Sequence, residues 1–360
     1  MNLTQNRYVA SRKPVKHGGP FSISKPRTDI LDFSSNINPL GSPPLVHMHL
    51  KTKLNSISQY PDAEATMLKK SLKRYTGIPE NQIIVGNGAT ELIYNFCQSF
   101  LNNKTHVMIQ APTFGEYEAA ARLSGCKISF YKTMNLSKDY QKLISQIPKN
   151  GCIFLCNPNN PTGELLSKNI LFKIIEDTNK KKSLLFLDES FIELVPDSNQ
   201  SIIKSVKKFE NLFILRSMTK SFGLAGLRVG YGVGSKKIIS VLNKIKIPWN
   251  VNGLAQDAAR VALCHATYLE KAKKLIKKES NYLKNSISCI EGFQCHKSST
   301  NFILIKTKIK SKELQKKLLK KKILIRDASS FHGLNQNYIR IAVKTHNENQ
   351  KLVKALRKVS

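Results

Sequence analysis

The 360-residue chain predicts an α/β fold: a largely parallel sheet covered on both faces by helices, followed by a smaller α+β domain. Two observations carry this. From about residue 80 to residue 233, short apolar runs alternate with longer amphipathic ones, and strands alternating with helices build parallel sheets. After residue 250 the order changes to long Lys-rich helical stretches and then short strands, the pattern of a second domain. The length agrees, at roughly 150 residues per domain.

Each element follows from its residues. Ile83, Ile84 and Val85 read as a strand, and 89–101 as a helix with Leu92, Ile93, Phe96 and Phe100 at helical spacing. A strand over 106–110, a helix over 114–124 and a strand over 127–131 come next. The segments 152–156 and 184–187 are continuous apolar runs, as strands buried on both faces should be. A helix over 168–178 lies between them, and strands over 212–215 and 229–233 continue the series. Beyond these, 252–287 reads as one or two long helices; strands follow over 301–305, 323–326 and 338–343, with helices over 312–320 and 348–358. The first 45 residues are irregular, with the turn-rich segments His17-Gly18-Gly19-Pro20 and Asn36-Ile37-Asn38-Pro39-Leu40-Gly41. Long irregular loops in a compact protein are often functional.

Lys and Arg number 58 against 24 Asp and Glu, a net charge of +34. A basic surface attracts phosphate backbones. Only 11 of the basic residues are Arg, however, and the Lys are spread along the chain. Arg is the residue of bidentate phosphate and base contacts, so the surplus reads as solvated surface and no nucleic-acid partner is expected. At 41% hydrophobic residues the chain is no low-hydrophobicity disordered segment. No apolar run approaches the ~20 residues of a membrane helix, and residues 1–16 lack the apolar core of a secretory signal. A cytoplasmic protein without a membrane partner is the expectation. Cys97, Cys126, Cys152, Cys156, Cys264, Cys289 and Cys295 form an odd set with no C-x-x-C pair, which argues against a disulfide framework or a zinc site. His47 and His49 form an isolated H-x-H in a Lys-rich, loop-like stretch, where no metal is expected.

Four segments carry chemistry, each just after a predicted strand, where ligands bind in open parallel sheets. Gly86-Asn87-Gly88-Ala89-Thr90-Glu91 opens a helix with small residues, and free N–H groups at a helix start suit a phosphate. Asn157-Pro158-Asn159-Asn160-Pro161-Thr162-Gly163 is a rigid run of seven turn-formers. Asp188 ends an apolar strand in Asp188-Glu189-Ser190-Phe191, a costly place for a carboxylate unless a cation or ligand is there. Ser217-Met218-Thr219-Lys220 follows the strand at 212–215, with Arg228 eight residues beyond Lys220. A Lys shielded from water can be deprotonated and react with carbonyls, and the hydroxyls and guanidinium suit a phosphate monoester. No Walker A loop and no G-x-G-x-x-G occurs, so the phosphate is read as a cofactor's.

In this order the four segments resemble the fold-type I pyridoxal-phosphate enzymes of the class I/II aminotransferase group, over nearly the whole chain. The resemblance implies a large domain with a mostly parallel seven-stranded sheet and a smaller α+β domain. It places residues 1–45 as a segment contributing to the small domain and the active site, 46–252 as the cofactor domain and 253–360 as the small domain. It implies pyridoxal 5'-phosphate as cofactor, bound covalently by Lys220. Asp188 would pair with the pyridinium nitrogen and Asn157 would hydrogen-bond the phenolic oxygen. Gly88, Ala89, Thr90, Ser217, Thr219 and Arg228 would hold the phosphate, and Phe114 would stack on the ring. The group is typically homodimeric, and Tyr60 would reach the cofactor phosphate of the neighbouring subunit. Arg340 matches the clamp for the substrate α-carboxylate.

Within the group, His17-Gly18-Gly19 followed by Ser34-Ser35-Asn36-Ile37-Asn38-Pro39-Leu40-Gly41 is similar to the threonine-phosphate decarboxylases, next to the histidinol-phosphate aminotransferases. Phe191, where many aminotransferases carry Tyr, suits that branch; Pro20 stands where its pattern has Asn. The resemblance implies His17, Asn36, Arg326 and Arg340 as substrate contacts, with His17 and Arg326 on the substrate phosphate. The activity it implies is decarboxylation of L-threonine O-3-phosphate to (R)-1-amino-2-propanol O-phosphate in cobalamin biosynthesis. The alternative is amino transfer from histidinol phosphate to 2-oxoglutarate.

Overall fold

The computed structural model describes residues 7–10, 14–23, 29–196 and 199–359. Part of the N-terminal stretch read for a secretory signal therefore lies outside the described residues. The apolar runs form β1 (Ile83–Asn87), β2 (His106–Ala111), β3 (Lys127–Lys132), β4 (Cys152–Cys156), β5 (Leu184–Asp188), β6 (Leu212–Ser217) and β7 (Val229–Gly234). They make one seven-stranded sheet in the order β1-β7-β6-β5-β4-β2-β3. Neighbours from β6 through β3 are parallel, and β7 runs antiparallel to both β6 and β1.

The central strands are apolar throughout because both faces are covered. Ile153, Leu155, Leu185, Leu187 and Ile214 point to one core cluster. Cys152, Phe154, Phe186 and Phe213 point to the other. On that second face Phe96 packs against Phe186 at 4.9 Å and Phe213 at 5.3 Å between ring centroids. Phe96 belongs to the helix Gly88–Phe100, which runs back from the end of β1. All seven cysteines are free.

The expectation for 252–287 resolves into two helices, Gly253–Leu263 and Ala266–Ser288. The second domain carries an antiparallel sheet of β8 (Phe293–Cys295), β9 (Phe302–Thr307), β10 (Arg326–Asp327) and β11 (Tyr338–Ala342), in the order β10-β11-β9-β8. The single strand expected over 323–326 is two. Ile323–Leu324 pairs in parallel with Leu31–Asp32, and only after Ile325 does the chain join β11. The N-terminal segment is therefore stitched to the smaller sheet. It also touches the larger unit, where Asn38 N–H donates to the Lys220 carbonyl at 3.0 Å and Asn38 Nδ2 to the Ser221 carbonyl at 2.7 Å.

One local reading is overturned. His47 and His49 do not lie in a loop but in the helix Pro44–Lys53, which starts on a proline in its first turn. Only Val46 of that helix is buried, so it shows no apolar stripe by which a helix announces itself. His47 Nε2 is 2.7 Å from Ser42 Oγ, and His49 lies 4.0 Å from Asp257. Among the described residues no helix is long and apolar enough to cross a membrane.

Candidate active site

The carboxyl ends of β4, β5 and β6 stop side by side, with Cys156 opposite Asp188 and Asp188 opposite Leu215. Beyond them the loops, the start of the helix Gly88–Phe100 and the N-terminal segment enclose a cavity of 460 Å³. Twelve of the residues expected to contact cofactor or substrate line it, drawn from both sheets and from the segment before residue 45.

One end of the cavity is built for an anion. Gly88 has φ +74, and a Cβ there would stand 2.5 Å from Arg228 Nη2. Glycine is thus what lets the guanidinium lie over the first turn of the helix. Ala89 and Thr90 follow on the cavity wall. A Cβ on Gly230 would come 2.7 Å from the Ala89 nitrogen, so that strand too needs a glycine. Ser217 Oγ and Thr219 Oγ1, both buried, lie 2.7 Å apart on the same wall. Helix N–H groups, two hydroxyls and one guanidinium make a phosphate cradle.

Next to it sits a buried carboxylate. Asp188 Oδ2 accepts from the Tyr117 hydroxyl at 2.6 Å and Oδ1 from Ser190 N–H at 2.8 Å. Burial pushes its pKa above the ordinary carboxylate value, and these hydrogen bonds oppose that push. Phe114 lines the cavity and meets Tyr117 edge-on at 5.6 Å. Asn157, fully buried beside the lining residue Cys156, accepts from Leu166 N–H through Oδ1 at 2.7 Å. Its Nδ2 has no partner among the described residues. A buried orphan donor is expensive, and an acceptor on a ligand would satisfy it.

Lys220 is half-buried in the helical turn after β6. Burial, with the positive charges of Arg340 and Arg228, lowers its pKa from 10.5 to about 8. At the far side, Arg340 donates through Nη1 to Asn160 Oδ1 at 2.5 Å and through Nη2 to the Ser34 carbonyl at 2.7 Å; its buried Nε has no partner. Burial and the neighbouring Arg326 push it down to about 9. Arg326 donates to the carbonyls of His17 at 2.7 Å and Lys16 at 2.5 Å, and to Ser330 Oγ at 3.0 Å. Asn36 is buried on the wall with Oδ1 unpartnered.

The structure does not bring every expected residue into this cavity. Tyr60 lies elsewhere, 82% exposed and stacked on Trp249 at 4.8 Å. His17 lines the cavity, yet its Nε2 is engaged 2.8 Å from Glu116 Oε1. Sequence reasoning missed Glu116, Tyr117 and Asn160. Tyr117 stands one helical turn from Phe114, the signal that could have found it. Asn160 lay within the turn run, where only the first Asn was credited. Nothing in the sequence marks Glu116 as buried.

The aldehyde-bearing, phosphorylated pyridine of pyridoxal 5'-phosphate would fit this donor set: a phosphate for the cradle, a ring nitrogen for Asp188, a phenolic oxygen for the Asn157 amide and a carbonyl for Lys220. Fold and donor set define a pyridoxal-phosphate-dependent enzyme of fold type I. The chain belongs to the aminotransferase class I and II family, whose model matches residues 28–356. It is 34% identical to the threonine-phosphate decarboxylase of Salmonella typhimurium, over 92% of this chain and 91% of that one. Among solved structures, the histidinol-phosphate aminotransferase of Clostridium acetobutylicum is 33% identical with a TM-score of 0.85, covering 92% of this chain and 99% of that one. The L-threonine-O-3-phosphate decarboxylase of Porphyromonas gingivalis is 30% identical with a TM-score of 0.84 at the same coverages.

The lowered pKa of Lys220 has a measurable consequence. Only the neutral amine reacts with the cofactor aldehyde, and the folded-state value of about 8 means the neutral form is reached well below the 10.5 of an ordinary Lys. The rate at which apoprotein takes up pyridoxal phosphate, followed by absorbance, should rise with pH and level off above about 8. A rate still climbing through pH 10 would remove the electrostatic account of Lys220.

Proposed function

We propose that the chain decarboxylates L-threonine O-3-phosphate to (R)-1-amino-2-propanol O-phosphate and CO2, a step of cobalamin biosynthesis. The observation that carries this reading is the placement of two guanidiniums. Arg326 and Arg340 are direct partners across β10 and β11, and both are buried. Among the described residues each donates only to neutral oxygens. Like charges directly opposite on a sheet repel, and unpaired buried charges are costly. A ligand with two anionic groups relieves both. With Arg228 at the cofactor's phosphate cradle, these two remain for the substrate: Arg340 for an α-carboxylate and Arg326 for a phosphate. Histidinol phosphate carries an alcohol where threonine phosphate carries the carboxylate, so it would use only one of them.

Pyridoxal phosphate, when bound, supplies a conjugated electron sink for the pair left by a broken Cα bond. The protein's part is orientation and proton supply. Arg340 and Arg326 would fix the two ends of the substrate and so decide which Cα bond is presented for cleavage. Lys220 Nζ holds the proton that takes the place of the departing carboxylate at Cα. Phe191, packed edge-on against Phe302 at 5.1 Å, contributes an apolar wall where a phenol would add a donor. The second reading, a histidinol-phosphate aminotransferase, is supported by the Clostridium relative, and the two carboxylates of its 2-oxoglutarate co-substrate would also satisfy both Arg.

Purified holoenzyme should release CO2 from L-threonine O-3-phosphate. Arg326→Ala should cut kcat/KM for it by about 100-fold, the ~3 kcal/mol of a charge-assisted contact. Amino transfer from histidinol phosphate to 2-oxoglutarate without CO2 release would establish the second reading instead.

We also propose a homodimer. Leu45, Met48, Leu54, Ile57, Tyr60 and Trp249 are all exposed, and apolar groups left open in this number mark a partner surface. A second copy covers them, and Tyr60 then reaches the partner's cofactor phosphate. Sedimentation should give twice the 40.6 kDa chain mass; a monomer at micromolar concentration would overturn this.

A further inference from the structure

Glu116 opens the helix Glu116–Leu123, and as a charged residue its 5% exposure is unusual. Each carboxylate oxygen has a partner. Oε2 accepts from the Tyr94 hydroxyl at 2.6 Å, and Oε1 lies 2.8 Å from His17 Nε2. His17 comes from the segment ahead of residue 45, ninety-nine positions away in the chain. Its own carbonyl and that of Lys16 accept from Arg326. Main chain and ring of His17 are therefore held by two different anchors, Arg326 of the smaller sheet and Glu116 of the helix Glu116–Leu123. Tyr94 fixes Glu116 from the helix Gly88–Phe100.

The consequence lies in the imidazole's donors. With Nε2 committed to Glu116, His17 can meet a substrate phosphate only through Nδ1. A neutral imidazole carries one N–H. If that proton sits on Nε2, Nδ1 offers a lone pair, which a phosphate oxygen repels. Donating to the carboxylate and to the phosphate together needs both protons on the ring. Glu116 on one side and the phosphate on the other then give each ring N–H an acceptor.

We propose that Glu116, braced by Tyr94, is a positioning residue for phosphate recognition: it accepts from Nε2–H and so orients His17 with Nδ1–H toward the substrate phosphate beside Arg326. This deepens the proposed function and rests on its phosphate pocket. Glu116 touches neither substrate nor cofactor in this role; it selects phosphorylated over unphosphorylated substrates through His17.

Calorimetric titration of the holoenzyme with O-phosphoethanolamine and with ethanolamine tests this without turnover. Wild type should prefer the phosphorylated ligand. If it does not, the phosphate pocket itself fails and this proposal falls with it. Given that preference, Glu116→Gln should weaken O-phosphoethanolamine about tenfold, one charge-assisted hydrogen bond, and leave ethanolamine unchanged. In a His17→Ala background the same substitution should cost nothing more, because its effect passes through His17. Tyr94→Phe, which removes one anchor of the carboxylate, should show the same selectivity at about threefold. Equal loss of both ligands, no loss, or an undiminished loss in the His17→Ala background would overturn the proposal.

Discussion

Two guanidiniums, Arg326 and Arg340, face each other across adjacent antiparallel strands in a buried site, with neutral oxygens as their only hydrogen-bond partners among the described residues. The rest of the site is arranged around that constraint. The second domain must be rigid enough to hold two like charges together, and β11 does so by pairing with β9 over five residues while its side chains Ile339 and Ile341 fill the core. The N-terminal segment is drawn over the cavity because its carbonyls, at Lys16, His17 and Ser34, partly satisfy the guanidinium donors. Together with burial, the charge of Arg340 also depresses the pKa of Lys220. The buried guanidiniums, the placement of the N-terminal segment and the lowered pKa of Lys220 are thus aspects of one electrostatic arrangement.

The larger sheet makes that arrangement possible by ending its strands together. Parallel strands β4, β5 and β6 all deliver their carboxyl ends to one edge, which puts Asp188, Ser217 and the loop after Cys156 within one cavity. Tyr117 then ties the carboxylate to the aromatic packing beneath it, stacking on Phe154 at 5.6 Å while donating to Asp188. A buried carboxylate needs such support, since burial alone opposes its charge.

The central strands were legible because both their faces are buried, which writes them as unbroken apolar runs; Cys152–Cys156 is the plainest case. The cavity lining was legible wherever it sits immediately after such a run, as at Asp188 and Lys220. Three kinds of feature were not. The helix Pro44–Lys53 buries a single side chain, so no periodicity betrays it. The split of 323–326 between two sheets depends on pairing with Leu31–Asp32, almost three hundred residues away. The Glu116–His17 contact joins segments that no local pattern connects, and a glutamate in a first helical turn reads as an ordinary response to the helix dipole. Long-range partners, more than local geometry, separate what the chain shows from what the fold does with it. The large net charge of +34 belongs mostly to Lys, whereas the cavity is lined by three Arg, Arg228, Arg326 and Arg340.

The central claim is that the substrate side of this site is a receptor for two anionic groups on one molecule. Calorimetry on the holoenzyme with 3-phosphonopropionate, which has a phosphonate, a carboxylate and no amine to react, tests it against methylphosphonate and propionate as its halves. The account predicts that the joined molecule binds at least ~100-fold more tightly than either half, as expected when two subsites are engaged at once. Binding of the joined molecule no tighter than its better half would contradict it.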